Sequence, residues 1–124
     1  DIPMKGTAGL HHPIRHFAEE YDAYMHGFIN AFGAGIFTSN FPNPENSQER
    51  FRMFILLSHL IGEQVADNFD FGDKGMIWKM GDDRDSIFEF DNDRIRNCRG
   101  KNMISYGSCS FQEPIDDLKQ LGWM

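Results

Sequence analysis

Apolar side chains fall at positions 14, 17, 18, 21, 24, 25, 28, 29 and 32. At about 100° per residue they gather within an arc of about 140°. Arg15, His16, Glu19, Glu20, Asp22, His26 and Asn30 take the opposite side. That spacing predicts an amphipathic helix, entered through His12 as its cap with Pro13 in the first turn and ended at Gly33. Residues 34–46 form a connection punctuated by Pro42 and Pro44, in which Ile36–Thr38 is a candidate short strand. A second helix is expected from Pro44 or Ser47 to Asn68, with Asn46 and Glu49 at capping-box spacing. Its apolar residues, from Phe51 to Ala66, cover most of the circumference. A helix of that kind is buried on several sides, so it should be the central element with the first helix packed on it.

From residue 71 the period shortens. Met76–Met80 and Ser86–Phe90 read as two strands around the loop Gly81-Asp82-Asp83-Arg84-Asp85. Arg94–Cys98 and Met103–Tyr106 read as further strands, with Ser108–Phe111 extending the last. Pro114 opens a short helix with Ile115, Leu118 and Leu121 on one side and Gly122 as its stop. Residues 1–11 carry no periodicity and read as a loop or arm. The whole chain, 1–124, is thus expected to be a single α+β domain. It comprises two packed N-terminal helices, a small antiparallel β-meander of three to four strands and a short C-terminal helix.

Composition adds limits. A chain of 124 residues with 40% hydrophobic positions and twelve phenylalanines can bury a real core. No apolar run reaches the roughly 18 residues of a membrane span, so no membrane partner is expected. Cys98 and Cys109 are too few for a disulfide framework and lack zinc spacing. They could form one bridge; two free buried thiols of a reducing, cytoplasmic setting are the commoner reading. Gly33-Ala34-Gly35 follows no strand and says nothing of phosphates. No cofactor is implied.

Charge changes the picture most. The net charge of −7 argues against direct contact with nucleic acid and permits a basic partner. Residues 67–93 hold nine acids against Lys74, Lys79 and Arg84, and so carry −6 of that total. A basic block of Arg94, Arg96, Arg99 and Lys101 follows, expected to neutralise the acidic strand from the next strand over. If 85–93 is extended, Phe88 and Phe90 point to the core while Asp85, Ile87, Glu89, Asp91 and Asp93 point the other way. The bland alternative is a solvated face that keeps a sheet edge from aggregating. The functional expectation is a non-enzymatic acidic protein in which Asp82, Asp83, Asp85, Glu89, Asp91 and Asp93 dock a basic protein. That partner would be a toxin blocked by an inhibitor or immunity-type protein, or a nucleic-acid-binding protein occupied by a DNA mimic.

A rival class is a small enzyme or ligand- or metal-binding domain, with a pocket between helices and sheet that uses histidine and acidic residues. His12, His16 and Glu20 stand at i, i+4 and i+8, a spacing that would bring metal ligands together on a helix. Their place on the polar side of that helix is explained as well by solvation. The acidic loops at 67–73 and 91–93 do not match an EF-hand.

Overall fold

Trp78, Phe37, Leu60, Asn30 and Cys98 are completely enclosed, and they come from four different elements. They hold together a mixed helix-and-strand domain, seen in a computed structural model that describes residues 3–7, 9–41, 43–107 and 112–124. In chain order the elements are β1 (Met4–Thr7), β2 (His16–Ala18), β3 (Ala23–Met25), α1 (Phe28–Asn40), α2 (Ser47–Gly62), β4 (Phe69–Gly72), β5 (Gly75–Lys79), β6 (Ile87–Asp91), α3 (Asn92–Lys101), β7 (Met103–Gly107) and α4 (Gln112–Gln120). β4, β5 and β6 form an antiparallel sheet in sequence order; β2 pairs antiparallel with β3; β1 pairs parallel with β7. The α+β class holds. No helix among the described residues is long and apolar enough to cross a membrane.

The predicted first helix is replaced over its front half by the β2–β3 hairpin. Asp22 takes a left-handed conformation at the bend. Phe17 and Tyr24 face each other across the strands, exposed, with ring centroids 5.2 Å apart. The apolar positions that mimicked a buried stripe therefore include aromatics paired in solvent. The helix starts only at Phe28, and Gly27 shows why. A Cβ there would strike the Pro13 carbonyl and the Ile14 backbone, so only glycine lets residues 12–14 cross the helix start. The crossing segment then caps the helix. Phe28 N–H donates to the His12 carbonyl at 3.0 Å and Ile29 N–H to that of Pro13 at 2.9 Å. Helix α1 continues through Gly33 and absorbs the candidate strand at Ile36–Thr38.

Asn30, expected on the polar side, is instead a buried clamp. Its Oδ1 accepts from the Arg15 N–H at 2.8 Å, and its Nδ2 donates to the Leu60 and Glu63 carbonyls, both at 2.9 Å. One side chain thereby joins the crossing segment, α1 and the C-terminal end of α2.

Helix α2 begins as predicted, with Asn46 Oδ1 accepting from Glu49 N–H at 2.9 Å. The Glu49 carboxylate reaches Glu45 N–H rather than the cap residue itself. The helix ends at Gly62, not Asn68, and α1 packs on it as expected. It is not central, however. Met53, Leu56, Leu57 and Leu60 meet the core. Phe51 and Phe54, on the opposite side, are 65% and 66% exposed. The apolar circumference is used on one side only.

Two further expectations fail beyond the sheet. Arg94–Cys98 is not a strand but the middle of α3. Asp91 caps that helix by accepting from Arg94 N–H at 2.8 Å. Asp93 lies in its first turn and Arg99 and Lys101 in its last, which suits the helix dipole. Ile95 and Cys98, one turn apart, supply its core contacts. The last strand, β7, pairs with β1 rather than joining the meander, so residues 4–7 are a strand and not an arm. Ser108–Phe111, including Cys109, lie outside the described residues; Cys98 is a free, buried thiol. Helix α4 matches its prediction, and Trp123 turns back onto the core with its ring 4.8 Å from that of Phe71.

Candidate functional site

The three-stranded sheet sorts its side chains by register. Phe69, Trp78 and Phe88 are neighbours across β4, β5 and β6, as are Phe71, Met76 and Phe90. Trp78 and Phe90 are buried, and Phe37 of α1 meets Phe88 and Phe90 edge-on at 5.5 and 6.2 Å. This aromatic face anchors the sheet. The alternate positions form a second row, Asp70, Ile77 and Glu89, on the opposite face. Asp70 and Glu89 are exposed and have no ion-pair or hydrogen-bond partner among the described residues. Ile77 between them is half-buried.

This outer face is a groove of about 590 Å³, lined among others by Asp70, Lys74, Ile77, Glu89, Asp91 and Arg94. The register brings Asp70 and Glu89 to two strands separated by β5, a spacing of about 10 Å. Asp70 was not among the residues singled out from the sequence. The alternation Phe69-Asp70-Phe71 was the available signal, hidden because the second helix was expected to run through Asn68.

The uninterrupted carboxylate row expected over 85–93 is not present. Asp85 sits in a single 3-10 turn, Arg84–Ser86, while Glu89 and Asp91 are in β6 and Asp93 is in α3. Asp82 and Asp83 precede that turn in an exposed loop, closed by Met80 N–H to the Ser86 carbonyl at 2.8 Å. Asp91 and Asp93 are engaged at home, with Arg94 at 3.6 Å and Arg96 at 2.9 Å. The basic block therefore offsets charge along one helix surface instead of across strands. Of the six expected docking residues, Glu89 and Asp91 line the groove; Asp82, Asp83, Asp85 and Asp93 do not.

A second cluster lies at the meeting of the chain ends. His12, His16 and Glu20 do not share a helix, so their i, i+4, i+8 spacing has no geometric meaning. They nevertheless line one cleft of about 470 Å³ together with His11, Tyr21 and Glu113. His12 and His16 meet edge-on at 4.1 Å. His11 Nδ1 lies 3.1 Å from the Glu113 carboxylate, and His12 Nδ1 lies 2.5 Å from that of Asp117. Asp117 thus pairs with His12 without being one of the residues that line the cleft. No group of three or more His, Cys, Asp or Glu among the described residues is placed to hold a metal ion.

No family model, curated protein or solved structure matches this chain.

Proposed function

We propose that this chain is a non-enzymatic acidic binding protein that blocks a basic protein through the outer face of the β4–β6 sheet. The observation that carries this reading is the cross-strand row Asp70–Ile77–Glu89, two unpaired carboxylates flanking an apolar centre on a face whose reverse side is held by aromatic packing. Basic side chains of the partner meet the carboxylates, which speed encounter, and contact over Ile77 supplies residence time. The exposed loop with Asp82, Asp83 and Asp85 extends the negative field at the end of the same sheet. The mechanism is competition for the partner's basic surface. An even comb of carboxylates would suit imitation of a phosphate backbone. The broken row favours the inhibitor or immunity-type version over the DNA mimic.

The test uses the intact protein immobilised beside its Asp70→Asn/Glu89→Gln variant. Basic proteins retained by the first and not by the second are identified by mass spectrometry, and their affinities are measured at low and high salt. Affinity should fall with salt and drop about ten-fold or more in the double variant, at unchanged melting temperature. Binding that ignores both salt and the double change would end this reading. Binding lost on His12→Ala instead would favour the rival ligand-binding class, which rests on the histidine cleft.

A further inference from the structure

Away from the sheet, β1, α1 and α2 border an open cavity of about 450 Å³ at the surface. It exists because α1 presents Ala31, Ala34 and Gly35, one turn apart, where two packed helices would ordinarily interlock larger side chains. Leu57 and Ile61 of α2 close one side; Met4 of β1 and Leu10 close another. The walls are therefore almost wholly apolar, and the volume falls in the range of small-molecule sites, about 300–1,000 Å³.

The polar groups in that wall are few. Thr38 spends its hydroxyl on the Ala34 and Gly35 carbonyls of its own helix, at 2.9 and 3.0 Å. Lys5 and His26 are exposed, and neither has an ion-pair or side-chain hydrogen-bond partner among the described residues. Among the described residues no carboxylate lines it, in a chain that has nineteen. An apolar slot with an uncommitted ammonium and imidazole complements one kind of molecule. We infer that this cavity binds an amphiphile with a linear apolar chain and a carboxylate head, the chain between α1 and α2 and the head at Lys5 and His26. In that arrangement the Lys5 stem would cover apolar surface while its ammonium stays at the water boundary. This site is independent of the acidic sheet and of any partner bound there.

Dodecanoate, octanoate and dodecanol, each below its micelle concentration, probe the full chain by calorimetry and by amide chemical-shift mapping. Dodecanoate should bind one to one, with shifts centred on Ala31, Ala34, Leu57 and Ile61. Octanoate should bind at least ten-fold more weakly, since each methylene withdrawn from water contributes to affinity. Dodecanol should bind about ten-fold more weakly than dodecanoate. The exposed change Lys5→Glu should erase that difference without altering the melting temperature, and Ala31→Leu should abolish binding by filling the slot. Three results would overturn the assignment: no saturable binding of dodecanoate, equal affinity for the alcohol with no effect of Lys5→Glu, or shifts confined to the exposed side of α2 around Phe51 and Phe54.

Discussion

Asp70 and Glu89 stand on the sheet without a partner among the described residues, whereas Glu113 and Asp117 each meet a histidine 102 and 105 residues away in the chain. The two regions use the same chemistry in opposite ways. On the sheet, carboxylates come close because neighbouring strands bring them close, and their charges are displayed. In the corner where α4 meets the segment around His12, carboxylates serve as ties between chain ends. Such ties form only after the core has drawn the ends together, because closing so long a loop has a large entropic cost. The displayed charges can therefore be changed with almost no effect on the fold, while each of the half-exposed pairs contributes a modest tie.

The comparison breaks most severely if the support under the displayed row is removed. Trp78→Ala should cost about 3–5 kcal/mol of unfolding free energy by denaturant titration, because the side chain is completely enclosed. Trp78→Phe should cost much less. The indole N–H has no partner among the described residues, so the smaller ring relieves a buried unsatisfied donor. An equal loss for both would mean that the indole itself is needed.

Within the acidic segment, Asp91→Ala should cost about 1 kcal/mol through loss of the α3 cap. Glu89→Gln, two residues away on the same strand, should stay within about 0.5 kcal/mol of wild type. If the two changes cost the same, the division between displayed and engaged carboxylates is wrong. The last comparison sets the half-exposed tie in the corner against the displayed pair on the sheet. A double-mutant cycle on His12→Ala and Asp117→Ala should give a coupling of about 0.5–1 kcal/mol. The matching cycle on Asp70 and Glu89 should give a coupling near zero.

Much of the second half was readable from local pattern. Alternation through Phe88-Glu89-Phe90 set strand and face, and the five-residue loop Gly81–Asp85 set the register with the strand of Trp78, because a strand's side-chain period leaves no freedom once one face is buried. The capped start of α2 and the helix after Pro114 were legible for a similar reason, since caps and short periodic runs act locally. The part of the chain before α2 was not. Residues 14–32 satisfy a helical period, yet Gly27 and the crossing of residues 12–14 divide them. Nothing local distinguishes a glycine inside a helix from one that admits a crossing chain. Arg94–Cys98 is apolar and polar by turns over too short a span to separate strand from helix. The cap at Asp91 decided it, and that residue had been counted as part of the acidic comb.

The candidate site divides along the same line. Glu89 and the aromatic backing were legible, Asp70 became visible only through its register with Ile77, and the histidine cleft came from residues whose proposed spacing was wrong.

By itself the amino-acid sequence determined the class of the fold, the alternation of the acidic sheet and the excess of negative charge. Each depends on residues within a few positions of one another, where backbone geometry alone relates side chains. Which side of α2 is covered, that β1 lies beside β7, and that α4 is tied to the histidines were decided only in three dimensions. Those arrangements depend on which distant surfaces meet while the common core around Trp78 and Phe37 is being filled.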